Sequence, residues 1–209
     1  MASILSYALT SVSDVKESLG IPSGDTTKDN LITRKVNQAT IAIENYCGRR
    51  FKETTYTNES YFGTNTTQIV LRNRPITATQ TFSLGVRDTI LNQNSFEVVD
   101  ANLYFTDANS GVIDLDFRAI GGVGRYQVTY SAGYAIIPAD LAEACASLAA
   151  YYVTNAAGTQ VGSALKKEGQ RELRYATNNN TLSFDNIIAQ LGIDSIINSY
   201  ANNPVMTDR

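Results

Sequence analysis

The 209-residue chain contains no histidine and only two cysteines, Cys47 and Cys145. Without histidine there is no Ser-His-Asp or Cys-His nucleophilic pair, no imidazole acid or base, and little chance of a zinc site. Two thiols cannot make a four-thiolate metal centre. Charged residues are also scarce, at 18%, so the surface must be covered with neutral polar groups. Asn, Thr, Ser and Tyr supply them, in runs such as Tyr56-Thr57-Asn58 and Asn178-Asn179-Asn180. The net charge is -3 and no basic stripe occurs. That argues against free-standing nucleic-acid binding, whose affinity comes from neutralised phosphates. No run approaches the roughly 18 apolar residues of a membrane span. Residues 1–9 hold neither a basic region nor a continuous apolar stretch, so no signal peptide is expected. The two thiols are accordingly expected to be reduced and buried, and the sequons at Asn58, Asn65 and Asn179 unmodified.

Carboxylate chemistry survives these exclusions. Asp114 and Asp116 are spaced i, i+2 within Val112-Ile113-Asp114-Leu115-Asp116. On a strand that spacing turns both to one side, where paired carboxylates can hold Mg²⁺ or hydrolyse a glycoside. The simpler expectation is a half-exposed strand with polar residues on its wet face. Gly121-Gly122-Val123-Gly124 lies between two strand-like runs and does not open a helix, which favours a hairpin turn over a dinucleotide fingerprint. No P-loop motif occurs. The residues point to no catalytic group, no cofactor and no metal.

A hydrophobic fraction of 43% is enough to bury a core, and the length suits one domain with an inserted lobe. Helical patterns occupy both ends and strand patterns the middle. Ser11 is placed to cap a short helix with Val12, Val15 and Leu19 on one face, ended by Gly20 and Pro22. A longer helix is predicted over 27–47. Ile32, Val36, Ala39, Ile43 and Tyr46 form its apolar stripe, and Gly48 its stop. From Phe51 to Tyr134 the period becomes two, with turn signals at Gly63-Thr64-Asn65, Asn73-Arg74-Pro75, Asn92-Gln93-Asn94 and Asp107–Gly111. An antiparallel β lobe inserted between helices follows. Pro138 and Asp140 open a third, alanine-rich helix that stops at Gly158. The fold class is therefore α+β: a bundle of about four helices with an antiparallel β lobe between the second and third. The predicted parts are 1–50, 51–134 and 135–209, forming one structural unit.

Two C-terminal segments invite a functional reading. Residues 158–182 show little apolar periodicity, and so long a structureless stretch is expected to serve a function. It is a candidate inter-subunit arm, carrying Lys166, Lys167, Arg171, Leu173, Arg174 and Tyr175. Ser183 can then cap a helix broken at Gly192 and Asp194, with Ile187, Ile188, Leu191, Ile196, Ile197 and Tyr200 on it. A chain end this apolar either packs on its own helices or docks in a partner.

Three motifs, in order, resemble the head–tail connector proteins of tailed phages, also called head-completion or adaptor proteins. They are Val12-Ser13-Asp14-Val15-Lys16-Glu17-Ser18-Leu19-Gly20-Ile21, then Ile43-Glu44-Asn45-Tyr46-Cys47-Gly48-Arg49-Arg50-Phe51, then Val128-Thr129-Tyr130-Ser131-Ala132-Gly133-Tyr134 followed by Ile137-Pro138-Ala139-Asp140-Leu141. The resemblance implies a non-enzymatic virion protein in the particle neck, made in the host cytoplasm. It implies a ring, usually dodecameric, on the portal protein, which extends the DNA channel and offers a surface to the stopper or tail proteins. Genomic DNA would pass through the lumen without sequence-specific binding, helped by the mildly acidic charge, and no membrane is involved. In many members the C-terminal segment docks on the portal, which makes Ile187, Ile188, Leu191, Ile196, Ile197 and Tyr200 the docking candidates. The β lobe is larger than in compact members. A competing reading is a baseplate or fibre β module that binds carbohydrate or a receptor, and a weaker one is a hydrolase built on Asp114 and Asp116.

Overall fold

A computed structural model of the chain describes residues 2–63, 65–77, 82–87, 95–157, 166–168, 171–173 and 183–201. It divides into two compact units, residues 1–48 with 138–209, and residues 49–137. The class is α+β, with five α-helices among the described residues and antiparallel sheets.

The helical unit begins with α1 (Val12–Ser18), whose start is a capping box: the Asp14 amide donates to the Ser11 hydroxyl, and the Ser11 amide to the Asp14 carboxylate. The Ser11 amide bond also holds the Asp14 carboxyl below its ordinary range. Helix α2 (Asp29–Cys47) starts two residues later than the spacing predicts. Thr27 explains the delay, since its amide and hydroxyl both bond the Asp25 carboxylate at 2.9 and 2.7 Å and so hold a turn there. Gly48 ends α2 at φ 65°, the left-handed cap that glycine adopts without strain. Ile32, Val36, Ala39 and Ile43 are fully buried along α2, but Tyr46 is on the surface and Cys47 takes the buried place.

Helix α3 (Ala139–Ala157) opens after Pro138, whose carbonyl accepts the Ala142 amide at 2.9 Å. Its alanines are mostly buried, Ala144, Ala146 and Ala149 among them, so within this unit they let α1 and α2 approach closely. Both cysteines are buried and free, and Cys145 Sγ lies 3.8 Å from the Thr40 hydroxyl. Two short helices, α4 (Phe184–Gln190) and α5 (Asp194–Tyr200), follow the expected Ser183 cap and the break at Gly192.

Among the described residues, seven strands build the lobe: β1 (Thr54–Gly63), β2 (Gln68–Val70), β3 (Ser83–Val86), β4 (Glu97–Val98), β5 (Tyr104–Asp107), β6 (Val112–Leu115) and β7 (Gly122–Ala132). They form a four-stranded sheet in the order β1-β7-β3-β4 and a three-stranded sheet in the order β2-β6-β5. Every pairing between these strands is antiparallel, and an isolated parallel bridge joins Lys52 to Tyr134. The lobe has its own core, in which Leu84, Ile113, Tyr126, Val128 and Tyr130 are buried to about 1% exposure or less. The turn at Asp107–Gly111 is the β5–β6 hairpin, closed by the Gly111 amide on the Asp107 carbonyl, with Gly111 at φ 69°.

Gly121-Gly122-Val123-Gly124 is not the hairpin turn that the spacing predicts. The strands on either side of it belong to different sheets, and Gly122 already begins β7 opposite Gly63 of β1. Glycine is needed on the facing strand, at Gly63, because β1 and the chain before β7 approach too closely for a side chain. A Cβ on Gly63 would lie 1.7 Å from the Ile120 carbonyl oxygen. Residues 158–182 are likewise not structureless throughout. Strands β8 (Lys166–Glu168) and β9 (Arg171–Leu173) pair antiparallel, Lys167 opposite Glu172. The turn signal Asn92-Gln93-Asn94 lies outside the described residues.

Candidate interaction surfaces

The C-terminal apolar set divides in two. Ile187, Ile188 and Ile197 are buried within the helical unit, Ile197 completely, and Ile193 joins them. These are core residues, because α5 packs on α2 and α3 and gives its apolar face a partner inside the chain. Buried inside the chain, they leave little surface to offer a partner. Leu191, Ile196 and Tyr200 keep part of their surface exposed. Polar contacts fasten the segment further: the Tyr46 hydroxyl donates to Asn198 at 2.9 Å, and the Tyr200 hydroxyl to both Asp140 carboxylate oxygens at 2.9 and 3.0 Å. The Tyr46 ring meets Phe184 at 5.0 Å between centroids.

Of the arm candidates, Lys166, Lys167, Arg171 and Leu173 fall on β8 and β9, whereas Arg174 and Tyr175 lie outside the described residues. The Asp114 and Asp116 pair does not form as the spacing predicts. Asp114 is on β6 and accepts from Gln68 Nε2 at 2.7 Å, while Asp116 falls past the end of the strand. No group of three or more metal-ligating side chains exists among the described residues.

One polar cluster has no counterpart in the sequence motifs. Glu59 Oε2 accepts the hydroxyls of Tyr61 and Tyr130 at 2.6 and 2.7 Å, and these hydroxyls lie 3.0 Å apart. Arg72 bonds the other oxygen of Glu59 at 3.2 Å, and its own backbone amide donates to the Tyr61 hydroxyl. Burial pushes the Tyr61 and Tyr130 phenols up, Tyr130 to about 12. Four polar side chains thus tie β1, β7 and the chain after β2 into one network. The network clamps the two strands of the lobe together.

The lobe also exposes large apolar side chains in two places. At the end of the β1–β7 ribbon are Phe62, Ile120 and Val123, with 59%, 54% and 77% of their surface open to solvent. On the outer face of the β2-β6-β5 sheet are Val70 and Phe105, 58% and 69% exposed, with the half-buried Val112. Exposed apolar groups collected in this way mark interfaces.

The comparisons with known proteins agree. The family model described as "HCP: Head completion protein" matches residues 8–171. The chain belongs to the head completion protein family. No curated protein matches it. Among solved structures, the fold is similar to a chain in the neck of an empty gene transfer agent (GTA) particle computed with C6 symmetry. The two are 17% identical, the alignment covers 91% of this chain and 92% of that chain, and the TM-score is 0.50. A chain in the neck of a native GTA particle computed with C12 symmetry is 18% identical over 91% of this chain and 92% of that chain, with a TM-score of 0.48. The matched family region runs through parts of both units and takes in α1 to α3 and the lobe.

Proposed function

We propose that the chain is a structural subunit of the head–tail connector in the neck of a tailed-phage-like particle, assembled as a homo-oligomeric ring on the portal. The observation that carries this reading is the head completion family match over 8–171, which takes in α1 to α3 and the whole lobe. The shared fold of a chain from a GTA neck computed with C6 symmetry supports placement about a symmetry axis. A dodecamer is the ring that the family resemblance implies. The role is mechanical: the ring extends the DNA channel, passes DNA without reading it, and presents a surface to the stopper or tail. A chain with no histidine suits a role that needs no catalysis. The segment 158–182 is assigned to clasping the adjacent copy, and the portal contact to Leu191, Ile196 and Tyr200.

The test is electron microscopy of the purified chain mixed with the portal ring of its own particle. A second mixture carries Leu191→Asp with Ile196→Asp, and a third lacks residues 161–175. Circular dichroism checks that each variant folds. A new ring stacked on the portal is expected from the wild type and from neither variant. A ring that survives the aspartates moves the portal contact elsewhere, and one that survives the deletion removes the clasp. No added density with the wild-type chain overturns the connector reading in favour of a baseplate or fibre module.

A further inference from the structure

Residues 2–9, ahead of α1, are stitched to α2 by side chains of that helix. The Ala2 amide donates to Asn30 Oδ1 at 3.3 Å, the Leu5 amide to Asn37 Oδ1 at 3.0 Å, and the Leu9 amide to the Thr40 hydroxyl at 3.2 Å. Asn37 also donates through Nδ2 to the Ser3 carbonyl at 2.9 Å. Its carboxamide thus takes one carbonyl and one amide of the segment, as a peptide group of an adjacent strand would. The register follows from two rises. From Asn30 to Asn37 the helix climbs about 10 Å. From Ala2 to Leu5 an extended chain also covers about 10 Å. Two turns of α2 therefore present their carboxamides on one stripe, at a spacing that suits an extended backbone.

This recognition reads backbone. Each of these bonds ends on a main-chain atom of the segment, so the ladder accepts the same segment from any copy of the chain. The hold is shallow at its start and firm at its end. Ala2, Ser3, Ile4 and Ser6 are exposed, whereas Leu9 is buried. Exposed bonds of this kind open at low free energy, and the segment can leave while Leu9 stays in place. The hinge is the turn between them, closed by the Ala8 amide on the Leu5 carbonyl at 3.1 Å. Opened, residues 2–8 reach up to about 23 Å from Leu9.

On its own helix the segment leaves apolar surface in water. Ile4 and Ile41, the latter one turn beyond Asn37 on α2, each keep 43% of their surface exposed. A neighbour crossing at this face covers both, and so adds apolar burial that the closed arrangement lacks. We propose that neighbouring copies exchange residues 2–7, the Asn30 and Asn37 carboxamides of one copy holding the backbone of residues 2–5 of the next. Exchange of an identical element loses no bond to α2, because each bond opened at home is remade on the neighbour. The inference rests on the ring reading and makes α2 a surface that each copy offers to its neighbour.

The test places cysteines beside the ladder without removing it. Arg34 is exposed and lies between Asn30 and Asn37 on α2. Full-length Ser3→Cys chain is mixed with full-length Arg34→Cys chain, assembled on portals, and treated with a short reducible bis-maleimide. Cys47 and Cys145 are buried. A heterodimer joining the two variants is expected from the rings, and none from the same mixture without portals. The second measurement puts both substitutions in one chain, which is linked to itself before portals are added. Circular dichroism checks that this tied chain is folded. It is expected to fill portals about tenfold less well than the untied chain, and reduction of the linker should restore it. Mixed rings with no heterodimer, or a tied chain that fills portals as the wild type does, overturn the exchange and leave the connector reading standing. Absence of any ring with the wild-type chain overturns both.

Discussion

Gly133 shows what a residue in the third family motif is for. It follows β7 at φ 116°, and a Cβ there would lie 2.7 Å from the Phe51 carbonyl oxygen and 2.8 Å from the Glu53 amide nitrogen. The same crossing carries the bonds from the Gly133 amide to the Pro75 carbonyl and from the Tyr134 amide to the Phe51 carbonyl. Gly133→Ala meets backbone on all sides, so we expect a loss of about 3 kcal/mol, read as a lower denaturant midpoint at unchanged slope; a loss under about 0.5 kcal/mol would mean that the crossing has room to shift. Tyr130 supplies a pH dependence. Burial raises its phenol to about 12, against 10 for the free side chain. A phenol raised in the folded state favours the neutral form there. Its contribution is complete below pH 10 and is lost as pH climbs through 12. Stability is therefore expected to fall over that alkaline window, with delayed tyrosinate absorbance near 295 nm. Tyr130→Phe should shrink the delayed component by one phenol and leave that of Tyr61, and an unchanged titration would place the slow phenol elsewhere.

Elements defined by local pattern were legible before the structure. The Ser11 cap, the stripe Ile32, Val36, Ala39 and Ile43, and the glycine stop at Gly48 are all short-range signals found where the sequence puts them, whereas Tyr46, read into the same stripe, is on the surface. What the sequence could not show depends on distant partners. Glu59, Tyr61, Arg72 and Tyr130 meet only because β1 pairs with β7 across about seventy residues. Strands β8 and β9 are three residues each and rich in Lys and Glu, which weakens any strand signal. The glycines before β7 signal a turn equally well, and only sheet membership separates a close crossing from a hairpin. The C-terminal helices were open to two readings, since an apolar stripe does not say whose core it enters. Burial decides for Ile188 and Ile197. Ile197→Ala is expected to cost about 2–5 kcal/mol in thermal or denaturant unfolding, whereas Ser195→Ala on the exposed side of α5 should change little. Equal effects would return α5 to the role of a loosely held docking arm.

For the whole molecule, the division into two units sets the next expectation. The lobe's buried cluster draws every member from residues 61–132, all inside the second unit, while Ile32, Ile43, Leu141, Leu148 and Ile197 are buried in the first. Hydrophobic stabilisation acts through the contacts of each core, so a cavity in one lowers the opening free energy of its own residues first. Leu84 is fully buried at the centre of β3, and Leu84→Ala removes its contacts without touching the helices. Native-state hydrogen exchange of this variant is expected to show lost protection across 49–137, of about 3 kcal/mol, with amides of α2 and α3 changed far less. The mirror variant Leu148→Ala should show the reverse. Uniform loss in both variants would make the chain one cooperative unit, and the lobe could not then yield to a neighbouring copy while the helices stay rigid. Selective loss would make each unit cooperative on its own, the lobe opening independently of the helices.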